Sequence, residues 1–262
     1  MSTEAAVQIE ITDSITILRL NRPEKLNAMN GAQAAALGNA LESANTNPAI
    51  NVIIITGNGR AFCAGADLKA VSEKEALFST ENPEWGFGGI VRHWISKPVI
   101  AAVNGIAYGG GFEVALSCDL IIADPEAKFA LPEVTRGLVA VAGGIIRAPH
   151  RIPFSIAAEM AFTGAPISAQ RAESLGLVNH ISEPGESLAK AVEIAKVIAA
   201  NAPLAVEASK ALLHKGHPES DLWKSAGWQA NEDVRTNLFS TNDAKEGALA
   251  FVEKRKPQWK RN

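Results

Sequence analysis

Cysteine is scarce in this chain, with Cys63 and Cys118 the two in 262 residues. Two thiols make no disulfide framework. Neither stands in a CxxC or at ligand spacing from a histidine, which excludes a disulfide-stapled scaffold and a structural zinc site. A reducing cytoplasm is the compartment that fits. An excess of one charge is also missing. The 25 Lys and Arg set against 28 Asp and Glu leave a formal net charge of −3, so neither nucleic acid nor an acidic membrane is an expected partner. Long apolar runs are absent as well: stretches such as residues 137–146 reach about half of the roughly 20 residues a membrane span needs. Residues 1–8 carry neither the basic start nor the apolar centre of a secretory signal, and a soluble protein is expected. The histidines, His93, His150, His180, His214 and His217, are scattered and form no HExxH or other ligand pair. There is no GxSxG and no GxxxxGK, and Gly57-Asn58-Gly59 has Phe62 where the third glycine of GxGxxG would fall. The commonest hydrolase, NTPase and dinucleotide-binding readings are thereby removed.

What is present describes a globular α/β protein. The composition is 47% hydrophobic and 20% charged, in a chain long enough to bury a substantial core. Val7, Ile9 and Ile11, then Ile15, Ile17 and Leu20, flank Asp13-Ser14 and predict an opening hairpin. Ala34, Leu37, Leu41 and Ala44 recur at helical spacing up to Asn47-Pro48. Continuous apolar strands are expected at residues 52–55 and 99–103, and short ones at 120–123 and 128–130. Helices between them imply parallel pairing. After about residue 155 alanine-rich helical segments dominate, at 156–162, 169–175, 188–200 and 204–213. Residues 1–200 are read as the core carrying the site and 201–262 as a helical region without strands. Trp223, Trp228 and Trp259 lie in that region, and their burial requires either the core or another subunit.

The chemistry concentrates in residues 98–133. A buried strand leads through Asn104-Gly105 to Gly109-Gly110-Gly111, where the backbone must bend, and Glu113 falls in the first turn of a helix expected at 112–117. A helix start presents unpaired N–H groups, so Gly110 can offer a donor to an anion. Tight packing of strand against helix is the plainer use of the same glycines. Residues 61–69 repeat the arrangement: Ala64, Gly65 and Ala66 are small enough for a ligand to approach the backbone, and Asp67 can cap a helix. Two amides, of Ala66 and Gly110, converging on one oxygen would form an oxyanion hole, and losing one such donor costs about 3 to 4 kcal/mol of transition-state stabilisation. Glu133 follows Pro132 at the end of a strand. Two carboxylates beside an oxyanion hole suit removal of a proton alpha to a carbonyl while water is added or lost at the beta carbon. Proximity and burial must then split their pKa values.

Taken together, residues 61–69, 104–113 and 129–133 with Gly143-Gly144 resemble the crotonase superfamily of enoyl-CoA hydratases and isomerases. Asn21-Arg22-Pro23 with Leu26-Asn27-Ala28, Thr163-Gly164 with Ile167-Ser168-Ala169, and Glu246-Gly247 through Pro257 are similar to further landmarks of that family. The resemblance runs in order along nearly the whole chain. Within the superfamily it is most similar to carnitinyl-CoA dehydratases, through Asp67-Leu68-Lys69-Ala70, residues 86–89, Phe112-Glu113, residues 129–133 and residues 256–260. The resemblance implies a spiral of repeated strand-strand-helix units followed by a helical region that assembles trimers or dimers of trimers. It implies that the Ala66 and Gly110 amides hold a thioester oxygen and that Glu113 and Glu133 handle water and proton. Lys25, Leu26, Ala28, Ala64, Asp67 and Leu68 would line the coenzyme A moiety, reached from the C-terminal helix by Phe251 and Lys254. Lys254 belongs to a basic cluster with Arg255, Lys256, Lys260 and Arg261 that suits phosphates chemically. No metal and no separate cofactor is implied, coenzyme A being part of the substrate. One departure stands out. Ala140-Val141 precede Ala142-Gly143-Gly144 where hydratases of the family commonly carry a proline followed by a glycine or acidic residue, so water handling or the shape of the acyl pocket is expected to differ.

The leading expectation is a hydro-lyase, adding water syn across a 2-enoyl-CoA double bond or removing it from a 3-hydroxyacyl-CoA. Retention of both glutamates favours it over a double-bond isomerase, which can manage with one. A non-catalytic acyl-CoA-binding or RNA-binding member of the fold is the third alternative, and the net charge of −3 lacks the basic bias that RNA favours. Trp85, Phe87 and Trp94, in residues 71–94, are expected beside the acyl chain.

Overall fold

The chain opens on the hairpin that its alternation predicts. In the computed structural model, which describes residues 5–73, 75–215 and 226–260, β1 (Val7–Thr12) pairs antiparallel with β2 (Ile15–Leu20). His217, Trp223 and Arg261 lie outside the described residues. The alternation does not carry one feature of β1: Val7 is buried, whereas Ile9 and Ile11 are each 58% exposed. This strand is the edge of its sheet, and α1 (Gly31–Thr46) meets it at its beginning, where Gln33 Nε2 donates to the Ala6 carbonyl. Asn30 caps α1 by accepting the Gln33 N–H at 3.0 Å, and the helix buries Ala34, Leu37, Leu41 and Ala44 as their spacing predicts.

The next strands alternate between two sheets. β3 (Val52–Gly57), β5 (Val99–Val103) and β7 (Leu120–Ala123) extend the large sheet. β4 (Ala61–Cys63), β6 (Ile106–Tyr108) and β8 (Lys128–Ala130) form the small one. α2 (Leu68–Ser72) follows β4 and α3 (Gly110–Leu116) follows β6, so the repeated unit is strand, strand, helix. α4 (Gly144–Arg151), α5 (Phe154–Thr163), β9 (Ile167–Ser168), α6 (Ala169–Ser174) and β10 (His180–Ile181) close this part. The large sheet has the order β1-β2-β3-β5-β7-β10 and the small one β4-β6-β8-β9. Every pairing in the large sheet beyond the hairpin is parallel.

Both faces of the large sheet are covered, which is why β3 reads as a continuous apolar run. Ile53 and Ile55 enter the main core with Leu37, Leu41, Phe62, Phe112 and Phe129. Val52 and Ile54 face the other way, against Ala191 and Ala195 of α7 (Ser187–Ala199). The C-terminal part is helical: α8 (Pro203–Lys215), α9 (Ala226–Phe239) and α10 (Asn242–Val252) follow, with no strand among the described residues beyond 200. Trp228 is buried within its own chain, beside the Arg92 and Arg147 guanidinium groups at 5.3 Å, while Trp259 is exposed. Residues 256–260 fold back on α10, where the Gln258 N–H donates to Glu246 at 2.7 Å and the Lys260 N–H to Asp243 at 2.6 Å. No helix among the described residues is long and apolar enough to cross a membrane.

Candidate active site

Strand β6 delivers the chain to Gly109, whose φ of +53° with ψ of −126° is a backbone conformation that suits glycine, and a Cβ there would lie 2.8 Å from Glu133 Oε1. The helix α3 starts at Gly110, two residues before its expected position, and places Glu113 in its first turn. Packing is part of the role of these glycines, since Gly110 lies against the Phe87 ring and Gly111 against the Cys63 carbonyl.

The second loop is held from outside. Met29 forms an isolated parallel bridge with Ala66: the Met29 N–H donates to Gly65 O at 2.7 Å, and Met29 O accepts the Asp67 N–H at 2.9 Å. The Ala66 N–H between them meets no acceptor among the described residues, and neither does the Gly110 N–H. The two loops adjoin, for a Cβ on Gly65, whose φ is +99°, would lie 3.3 Å from Gly110 N. The structure therefore brings together both amides that the sequence singles out.

Glu113 is buried, and its Oε1 accepts the Gly144 N–H at 2.7 Å. Burial, and then the charge of Glu133, push its carboxyl well above the usual range, against the pull of the Gly144 and Ala142 N–H groups and of Arg147. Glu133 stands in a 3₁₀ turn, Pro132–Arg136, and burial raises it too, against its own backbone N–H and Arg136. Its Oε2 is buried without a partner. Burial of both groups, and the charge of Glu133 on Glu113, disfavour ionising the two together.

Two arginines complete the surroundings, and neither is singled out by the sequence. Arg147 lies one turn after Gly144 in α4. It is almost wholly buried, donates from Nη2 to Val91 O at 2.6 Å, and is lowered to about 10 chiefly by burial. Arg136 lies three residues after Glu133, a spacing that stacks side chains in a 3₁₀ turn, and its guanidinium covers the Phe251 ring at 4.4 Å. The spacing from Gly144 and from Glu133 was the available signal, but it acquires meaning only once the helical turns are known.

The remaining expected residues divide. Leu26 O accepts the Ala64 N–H at 3.0 Å, and Lys25 and Ala28 belong to the same turn, in which the Ala28 N–H donates to Lys25 O at 3.0 Å. Asp67 caps α2 through Oδ1, which accepts the Lys69 and Ala70 N–H groups, and Leu68 opens that helix. Phe251 is placed on Arg136, and Lys254 follows α10 in an exposed left-handed turn with φ of +54°. Arg255 of the basic cluster is engaged by Glu246 and Glu253. Val141 O accepts from Asn231 of α9, so the Ala140-Val141 departure is tied to the C-terminal helices. Of the aromatic side chains between residues 71 and 94, Phe87 packs on Gly110, whereas Trp85 stacks on His93 with ring centroids 4.2 Å apart and Trp94 packs on Lys210 and His214.

Residues 10–262 match the enoyl-CoA hydratase/isomerase family. The chain is 41% identical over 267 residues to mevalonyl-coenzyme A hydratase of Aspergillus fumigatus, covering 99% of this chain and 98% of that protein. It is 40% identical over 253 residues to carnitinyl-CoA dehydratase of Proteus mirabilis, covering 94% and 95%. Among solved structures, carnitinyl-CoA hydratase from Mycobacterium avium superposes with a TM-score of 0.95 at 45% identity, over 99% of this chain and all of that one.

Proposed function

Because the chain belongs to the enoyl-CoA hydratase/isomerase family, we propose how it works as an acyl-CoA hydro-lyase, adding water syn across a 2-enoyl-CoA double bond or removing it from a 3-hydroxyacyl-CoA. The thioester oxygen accepts hydrogen bonds from Ala66 and Gly110, which stabilise the negative charge that develops there. The ionised member of the Glu113 and Glu133 pair takes a proton from water as its oxygen bonds to the beta carbon. The protonated member delivers a proton to the alpha carbon. Dehydration runs the same steps backwards, and no cofactor is required. The observation that carries this reading is the pair of buried, raised carboxyl groups, one held by Gly144 and the other with an unpartnered oxygen, beside two unfilled amides.

Coenzyme A is taken along Lys25, Leu26, Ala28, Ala64, Asp67 and Leu68, with Phe251 and Lys254 contributing from the end of α10. The acyl group is polar, in keeping with relatives named for carnitinyl-CoA and mevalonyl-CoA at 40% and 41% identity. Residues 201–262 serve assembly into a homotrimer or a dimer of trimers in the cytoplasm. Phe154 and Phe162 on α5 and Leu204, Leu212 and Leu213 on α8, all between 68% and 79% exposed, support an assembled state.

The test is loss of the conjugated double bond of crotonyl-CoA and of longer and polar enoyl-CoA esters, with the Glu113→Gln, Glu133→Gln double variant as control. Turnover by the wild type and none by the double variant is expected. Migration of the double bond without hydration would make the protein an isomerase, and ester binding without turnover a binding protein.

A further inference from the structure

The position of the Ala66 N–H is set by groups lying at the far side of the Met29 bridge. Its neighbours Gly65 and Asp67 are both fastened to Met29, at the end of a loop in which Leu26 and Asn27 take left-handed φ values of +51° and +56°. Asn27 is completely buried and anchors that loop, donating from Nδ2 to Asn58 O at 2.9 Å and to Ala61 O at 2.8 Å while its Oδ1 accepts the Arg22 N–H at 2.9 Å. The Arg22 side chain then spans the bridge. Nη1 donates to Ala28 O at 2.6 Å on the loop side, and Nη2 donates to Asp67 Oδ2 at 2.8 Å on the Ala66 side. The two side chains are 19% and 12% exposed, so solvent screens the pair little. Burial works against ionisation of Asp67, yet Arg22 and the Ala70 and Lys69 N–H groups outweigh it and hold the carboxyl below its usual value.

We propose that the Arg22–Asp67 ion pair is a positioning device for the oxyanion donor, clamping the peptide between Gly65 and Ala66 so that its N–H stays aimed at the thioester oxygen. The proposal rests on the reading that Ala66 polarises that oxygen. Oxyanion donors act within a narrow range of about 2.7 to 3.1 Å, and the residue before Ala66 is a glycine at φ +99°, the freest backbone available. One planar guanidinium serves both sides of the bridge, a geometry that lysine cannot reproduce.

The experiment compares wild type with Arg22→Met, Arg22→Lys and Asp67→Asn, measuring hydration of crotonyl-CoA and the absorption of bound cinnamoyl-CoA. The absorption of that chromophore moves to the red when its carbonyl is polarised. Arg22→Met and Asp67→Asn are expected to lower kcat about 10- to 100-fold and to shrink the red shift, with the Kd for cinnamoyl-CoA kept within about threefold in Arg22→Met. Arg22→Lys should recover part of both. Folded variants that keep wild-type kcat and the full red shift, whatever their Tm, would overturn the proposal and leave the pair a structural one. Should Arg22→Met fail to fold, Asp67→Asn carries the test, because it keeps an oxygen to cap α2 and loses the charge facing Arg22. A wild type that binds cinnamoyl-CoA without a red shift would remove the oxyanion reading itself and this proposal with it, an outcome distinct from variants that match a normal wild type.

Discussion

Glu113 and Glu133 are adjacent carboxyl groups in a site largely closed to water, so ionising both is costly. Each is expected to matter alone: Glu113→Gln or Glu133→Gln should cut turnover at least about 100-fold, with binding of CoA esters, read by calorimetry, largely kept. The same pair gives stability a pH dependence. Their folded pKa values lie above the ordinary 4.5, so the folded protein holds protons that the unfolded chain releases. That contribution is complete below 4.5 and is lost as pH rises through the raised values. Urea unfolding of Glu113→Gln across that window should show a flatter profile than wild type and greater stability at alkaline pH. Glycine spacing made legible the bends at which Ala66 and Gly110 stand and the helix turn that carries Glu113. Arg136 and Arg147 were not legible, because an arginine in a string carries no sign of its burial.

At the scale of elements, helix α4 does two things to one carboxylate: its first N–H binds Glu113, and one turn later Arg147 favours the ionised form. Arg147→Met removes that charge, so the pair should hold its proton to higher pH, and the bell-shaped profile of kcat/KM against pH is expected to move in the alkaline direction. This helix is hard to see in the sequence, since it opens after Gly143 at φ +101° and contains Pro149. Strands β3 and β5 were legible from their apolar runs, and α1 from its period. The segment between residues 71 and 94 was not. Trp85 and Trp94 face His93 and Lys210 because short 3₁₀ turns at Pro83–Trp85 and Phe87–Gly89, the second with Gly88 at φ +64°, redirect successive side chains.

At the scale of the molecule, a buried ion pair joins the C-terminal helices to the sheet. Asp119, just before β7, accepts the Val99 N–H at 2.8 Å and Lys210 Nζ at 2.7 Å, and Lys210 on α8 also donates to Lys97 O. Lys210→Met leaves Asp119 with His214 Nε2 at 3.4 Å and the charge of Arg151 for partners, and is expected to cost up to about 3 kcal/mol of unfolding free energy, measured by urea titration. Large apolar side chains of α5 and α8 are also exposed. Sedimentation equilibrium of the wild type is expected to give a trimer or a multiple of it, and Phe162→Glu with Leu213→Glu should lower that mass.

Local order along the chain determined the strands, most of the helices, the glycine bends and the pairing of chemistry-bearing residue types, since periodicity and backbone freedom act between near neighbours. Tertiary structure alone decided which amides stay unfilled, how far each carboxyl is raised and which arginine reaches it. Those properties depend on distances between residues remote in sequence, such as Glu113 and Gly144, 31 apart, or Arg22 and Asp67, 45 apart, and on the water excluded from between them.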